Sequence, residues 1–394
     1  MTVWRYDRFR GLAAILLAAA ASVIPAGIGF GAIPVYADQE QGLPAEFISD
    51  DYISLNEAMT ACGFAKRPGY AVSYGKKISG QPVTITFDFN QLKCTKNAYA
   101  FSLDSQWREA DGQYLVDSDL LEDITNHTFY YSDSGRIEAA AQQYGAYDWL
   151  SGSAPLIAHA GGAVRMGPDV QTYANSLAAI AENYTLGHRI FELDFQVTAD
   201  SGLAAVHDGV TAGNENGIFM NTAEWQATGG TTIGDVLDQM MINTDMFIVT
   251  DTKRYDIVAF QIIYDEAAKR DINLLNRIIP QIYTCSMYDE VMAVYDFPSL
   301  IFTTYNTSET PEEIVGFVSR KENVRVITTP AGEEGVSRQL TQLANQTGIL
   351  VYAHTLNDYE DIGAMRAQGV YGLYTDLLVP SDFERYENSR QNKE

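Results

Sequence analysis

The sequence predicts an α/β protein, a TIM (β/α)8 barrel preceded by a small α+β domain, and three observations carry that prediction. Past Pro155, eight short β-rich runs alternate with helical stretches to residue 385, the size and rhythm of such a barrel. The polar residues of these runs gather at their C-terminal ends, the face where barrels of this kind place their chemistry. Ahead of Pro155 the order changes to helix, hairpin, strand and helix. At 394 residues, 46% of them hydrophobic, the chain has enough length and apolar content for both units.

Taken in order, residues 1–37 read as an export signal. Arg5, Arg8 and Arg10 make a basic start, residues 11–33 carry no charge, and Val35-Tyr36-Ala37 offers a small-residue cleavage site. A membrane anchor over 11–33 is the alternative, because about 20 apolar residues span a bilayer. Either way the body of the chain is expected outside the cytoplasm, secreted or at the cell surface. Residues 45–125 form the small unit. A short helix from Tyr52 stops at Gly63, alternating strands follow at 83–89 and 98–103, and Gly112-Gln113-Tyr114-Leu115-Val116 leads into a helix at Ser118. This order resembles the small α+β domain named for the N-terminus of copper amine oxidases, which recurs in bacterial cell-surface proteins. The resemblance implies a structural or wall-contacting role. It implies no copper, since residues 50–124 contain no histidine.

Residues 126–153 read as a connector with one helix near 136–144 and a solvated His127. Cys62 and Cys94 share the front unit, which leaves a disulfide between them open, and Cys285 stands apart. The eight runs of the barrel, residues 154–385, are 156–159, 189–195, 246–250, 277–283, 300–305, 324–328, 348–353 and 372–375. Helices are expected between them at 176–184, 233–241, 257–269, 288–294, 311–318, 337–346 and 358–368. Residues 386–394 read as a polar tail.

The stretch that organises this half is Phe191-Glu192-Leu193-Asp194-Phe195. Side chains alternate along a strand, so Glu192 and Asp194 share one face while the three apolar residues take the other. Two buried like charges are costly unless a cation neutralises them. A turn at 199–202 then reverses the chain and returns His207 to the same place. An acidic pair beside an imidazole suits metal-assisted hydrolysis. The other run ends add His159, Asp251 with Lys253, Gln281 with Tyr283, and Thr355 with Asn357.

Together these motifs resemble the glycerophosphodiester phosphodiesterase family, a barrel branch of the phosphatidylinositol-specific phospholipase C-like hydrolases. The matching segments are His159-Ala160-Gly161-Gly162, Asn175-Ser176, Gly187 to Asp194, Thr198 to Gly202, Val206-His207-Asp208, Thr231 to Leu237, Asp251-Thr252-Lys253, Thr355-Leu356-Asn357 and Gly372 to Asp376. The resemblance implies that Glu192, Asp194 and Asp251 hold one divalent cation, Ca²⁺ or Mg²⁺, since carboxylate oxygens suit both. It implies His159 and His207 as general base and general acid, Lys253 as a fixed positive charge, and Asn175 as a hydrogen-bonding partner of the site or the phosphate.

Three departures bear on substrate. The family's His-Arg-Gly is His159-Ala160-Gly161 here, so Arg165 in the same loop is the candidate replacement, with a solvent-exposed role as the alternative. Its Pro-Glu-Asn-Thr is Tyr173-Ala174-Asn175-Ser176, and its Trp-Thr-Xaa-Asn begins with His354. With Gln281, Tyr283 and His354 as further substrate-binding candidates, the expected substrate is a small phosphodiester of glycerol or a similar polyol. His188 reads as structural and Asp376 as a tie for the barrel rim. A formal charge of −25 argues against a nucleic-acid partner. The rival readings are a phospholipase acting on intact lipid through an apolar rim near 217–220, and a non-catalytic surface-binding protein on the same barrel.

Overall fold

The computed structural model describes Ile48 and residues 51–391, apart from 70, 79, 145–147, 151–154, 167, 208–219, 253–256 and 332–336. The proposed leader, the apolar loop at 217–219 and Lys253 lie outside the described residues. Among those described, no helix is long and apolar enough to cross a membrane.

Eight parallel strands close on themselves: β1 (Leu156–Ala158), β2 (Ile190–Val197), β3 (Phe247–Asp251), β4 (Ile278–Ile282), β5 (Leu300–Thr303), β6 (Val324–Pro330), β7 (Leu350–His354) and β8 (Gly372–Thr375). Each pairs with the next, and β1 pairs with both β2 and β8, so the sheet has no free edge. This is the barrel read from the sequence. Its helices α1 (Leu177–Thr185), α2 (Ile233–Ile242), α3 (Ile257–Ala268), α4 (Cys285–Val294), α5 (Pro311–Val318), α6 (Arg338–Gln346) and α7 (Tyr359–Ala367) follow the first seven strands. Sequence caps set several starts: Ser176 accepts from the Ala179 amide at α1, and Thr310 with Glu313 forms a capping box ahead of Pro311 at α5. A last helix, α8 (Pro380–Gln391), takes up most of the segment read as a polar tail. Its exposed charges mask a helix that docks its Phe383 into the core.

Strand alternation places the chemistry. Ile157, Ile190, Val249, Ile279, Ile301 and Val326 form one apolar cluster, the plug of the barrel interior. Two residues further along the same strands stand His159, Glu192, Asp251, Gln281, Thr303 and Thr328, a polar layer on top of that plug. Phe191, Leu193 and Phe195 belong instead to the larger cluster beneath the helices.

The front unit is a five-stranded antiparallel meander running from Ala65–Lys66 to Tyr99–Ser102, with a three-stranded sheet and the helices Leu55–Ala61 and Ser118–Thr125 beside it. Two expectations for the connector fail. Residues Ile137–Ala141, expected as helix, are a strand paired with His127–Tyr131, because the Ser132–Gly135 turn closes a hairpin. His127 is half-buried in that hairpin, with Nδ1 on the Thr125 carbonyl. Cys62 and Cys94 are separate buried thiols.

The unit is not loosely tethered. Its edge strand Tyr99–Ser102 lies on α1, where Tyr99 and Phe101 meet Tyr184 edge-on at 5.2 and 6.4 Å. Lys96, 0% exposed, donates to Asn126 Oδ1 at 2.8 Å, and Asn126 donates to the Tyr184 hydroxyl. Tyr184 in turn donates to Asp245, which also receives Arg189, and Arg189 reaches Asp123 at 3.4 Å. Burial pushes the Lys96 amine down to about 8, against the pull of Asp245.

Candidate active site

The loop after β1 is built for close approach. Ala160, Gly161 and Gly162 all have positive φ. A Cβ at Gly162 would lie 2.5 Å from the Asn183 amide, whose Nδ2 donates to the Gly161 and Ala163 carbonyls. This turn aims the Ala160 amide at Glu192 Oε2, 2.8 Å away.

Glu192, Asp194 and Asp251 are buried together, with a carboxylate oxygen from each within 4.8 Å of the others. The pairing of β2 with β3 sets Asp194 directly beside Asp251. Asn175 grips Asp194 twice: its Nδ2 donates to Oδ2 at 2.8 Å and its Oδ1 accepts the Asp194 amide at 2.9 Å. Burial, then the charges of Asp194 and Asp251, push the Glu192 carboxyl up to about 8 although His159 pulls it down. A divalent cation is the alternative to that protonation, and an all-oxygen donor set fits Ca²⁺ or Mg²⁺ chemistry.

His159 lies against this cluster, and the backbone brings His207 close to Asp194. His159 Nε2 lies 3.9 Å from Glu192 Oε2, and its Nδ1 is 2.9 Å from Asp376 Oδ1. Asp376 is held by Asn357, whose Nδ2 donates to its Oδ2 and whose Oδ1 accepts its amide. Burial alone would lower the His159 imidazole, but the Asp376 hydrogen bond and the charges of Glu192, Asp376 and Asp194 outweigh it and raise it. His207 arrives as the sequence suggested: Leu203–Ala205 runs antiparallel to β2, the Val206 amide donates to the Asp194 carbonyl, and Gln196 holds the His207 carbonyl at 2.7 Å.

The remaining candidates are placed as follows. Tyr283 donates its hydroxyl to Asp251 Oδ1, and burial keeps that phenol protonated far above its usual range. It orients a carboxylate, as does Tyr305, which donates to Asp251 Oδ2 at 2.8 Å. Gln281 is buried in the polar layer below Tyr283. His354 shares a hydrogen bond with Thr328 and stands edge-on to Tyr305 and Tyr374. Arg165 is not brought to the carboxylates: its guanidinium is held by Glu182 at 3.1 Å and by the Leu377 carbonyl at 3.2 Å. His188 is structural, with Nε2 on the Leu378 carbonyl and burial pushing it down to about 4.

Tyr305 and Tyr173 are the residues whose place sequence reasoning did not find, and Asp376, read as a tie for the barrel rim, also meets His159. For Asp376 a signal existed, since it stands two residues past Tyr374 on the alternation that also delivers His159.

Solved structures similar to this chain include the following. A glycerophosphodiester phosphodiesterase from Thermotoga maritima is 18% identical, with a TM-score of 0.44 over 60% of this chain and 98% of its own. One from Parabacteroides distasonis is 14% identical, with a TM-score of 0.47 over 63% and 93%. A phosphodiesterase from Oleispira antarctica, in complex with the product sn-glycerol-3-phosphate, is 14% identical, with a TM-score of 0.45 over 62% and 99%. No family model matches this chain, and no curated protein does. The fold rests on the strand order above.

Proposed function

We propose that this chain is an exported, divalent-metal-dependent phosphodiesterase that hydrolyses glycerophosphodiesters or related polyol phosphodiesters. The observation that carries the reading is one buried triad, Glu192, Asp194 and Asp251, with the imidazole of His159 3.9 Å away. Those three carboxylates would hold the cation, which when bound offsets charge on the phosphate's non-bridging oxygens. The protein residues supply the proton transfers. His159 accepts on Nε2 the proton of the attacking oxygen, that of water or of a substrate hydroxyl whose cyclic phosphate water then opens, because Nδ1 donates its hydrogen to Asp376. As the new P–O bond forms and the bond to the leaving alcohol breaks, His207 returns a proton to the departing oxygen. Asn175, Tyr283 and Tyr305 keep two of the carboxylates in place.

Lys253 is proposed to add positive charge, and the motif order of the sequence supports the substrate class. The basic start and apolar run of residues 1–37 support export. Contact of the front unit with cell wall or surface is proposed from its sequence resemblance to the copper amine oxidase N-terminal domain.

The test is hydrolysis of a panel of glycerol, inositol and choline phosphodiesters by the whole chain. EDTA should abolish turnover and Ca²⁺ or Mg²⁺ restore it. His159→Gln or His207→Gln should each lower kcat by about 10²–10⁴-fold. Turnover indifferent to chelation would remove the metal from the scheme.

A further inference from the structure

Tyr173 touches both imidazoles. Its ring meets His159 at a centroid distance of 4.7 Å and 87°, and His207 at 4.9 Å and 80°. One aromatic ring therefore spans the acid–base pair, edge-to-face on each side, which is the favourable geometry for such contacts. Tyr173 as a whole is 48% exposed.

The backbone around it is arranged to keep it there. Tyr173 has φ 54° and Asn175 φ 43°, a region that residues with side chains occupy only when their surroundings impose it. The surroundings are the site itself: the Asn175 amide donates to the Ala160 carbonyl at 2.9 Å, and its side chain is locked on Asp194. The same hydrogen bonds that fix a carboxylate thus fix the tyrosine. Asp376 reaches His159 from its Nδ1 edge, a separate direction.

We infer that Tyr173 is a positioning residue for the two histidines, setting the tilt and spacing of both rings through direct contact. Its catalytic consequence rests on the phosphodiesterase reading; the contact itself does not. A tyrosine that merely leaned over the mouth would leave both imidazoles as they are when it is removed.

The experiment uses the full chain and the variants Tyr173→Phe and Tyr173→Ala. Imidazole proton signals of the chain's five histidines are assigned with His159→Gln and His207→Gln. In Tyr173→Ala the signals of both His159 and His207 should move while the other three stay. In Tyr173→Phe, which keeps the ring, they should stay near the wild type. With a phosphodiester substrate, Tyr173→Ala should lower kcat about 10- to 100-fold with KM nearly unchanged, as expected for a misplaced acid–base pair, and Tyr173→Phe should retain most of kcat. Stabilisation by Ca²⁺ should survive in both variants, which shows that the carboxylates remain folded. Unmoved histidine signals in Tyr173→Ala, or a kcat loss as large in Tyr173→Phe as in Tyr173→Ala, would overturn the inference. Absence of turnover in the wild type would count against the phosphodiesterase reading, and the imidazole signals would still decide whether Tyr173 positions the pair.

Discussion

Without a cation, the acid cluster should make this protein less stable as the solution becomes more alkaline. Glu192 has its folded-state pKa raised from 4.5 to about 8. Below the unfolded value both states carry the proton and nothing is lost. Between about 4.5 and 8 the unfolded chain releases a proton that the folded one keeps, so stability falls as pH rises. At 1.36 kcal/mol for each pKa unit the loss is at most about 5 kcal/mol. Buried His188, lowered to about 4, works in the opposite direction as pH falls below its unfolded value. The informative quantity is therefore the difference between the wild type and Glu192→Gln, which is neutral at every pH. Urea unfolding followed by tryptophan fluorescence at pH 5 and pH 8, with EDTA, should show a wild-type loss that the variant lacks. Added Ca²⁺ or Mg²⁺ should recover about 2.7 kcal/mol at a hundredfold excess over its dissociation constant. Equal pH slopes in the two proteins would refute the electrostatic account of the cluster, and an equal gain from cation in both would refute Glu192 as a ligand.

Other expectations follow from single contacts. Asp376→Asn frees the His159 Nδ1 proton from a charged acceptor, so kcat should fall at least 10-fold and the alkaline rise of His159 should move to lower pH in a pH–rate profile. Arg189→Met strands Asp245 and Asp123 and should cost about 3–5 kcal/mol in a denaturant titration, whereas Lys96→Met should be close to neutral because the lysine's amine is itself costly to bury. Gly162→Ala meets both a positive φ and the Asn183 amide, and should lower Tm by several degrees with a parallel loss of turnover.

Much of the barrel was legible because two signals coincided in the same runs. Ile190, Glu192 and Asp194 alternate without a break from plug to polar layer, and the same spacing links Ile157 to His159 and Val249 to Asp251. Burial of the triad followed from the cost of leaving two adjacent acids without a cation. Residues whose function depends on distant partners left no such mark. Asp376 meets His159 across 217 positions, and Tyr173 and Tyr305 are two of 24 tyrosines with nothing local to separate them from packing residues. The ion pair of Arg165 with Glu182, 17 residues on in α1, likewise has no local signature in the sequence. The helix expected near 136–144 is instead the second strand of a hairpin, since the Ser132–Gly135 turn inside it sets a register that residues 136–144 alone do not show.

The joint between the front unit and α1 has a mechanical consequence. The helix that Tyr99 and Phe101 brace begins just after Asn175, so the brace and the grip on Asp194 share one rigid rod. Residues 127–141 of the connector form a hairpin. A copy anchored through its front unit would hold the barrel mouth at one attitude toward the surface that carries it, and would work on whatever diffuses past that side.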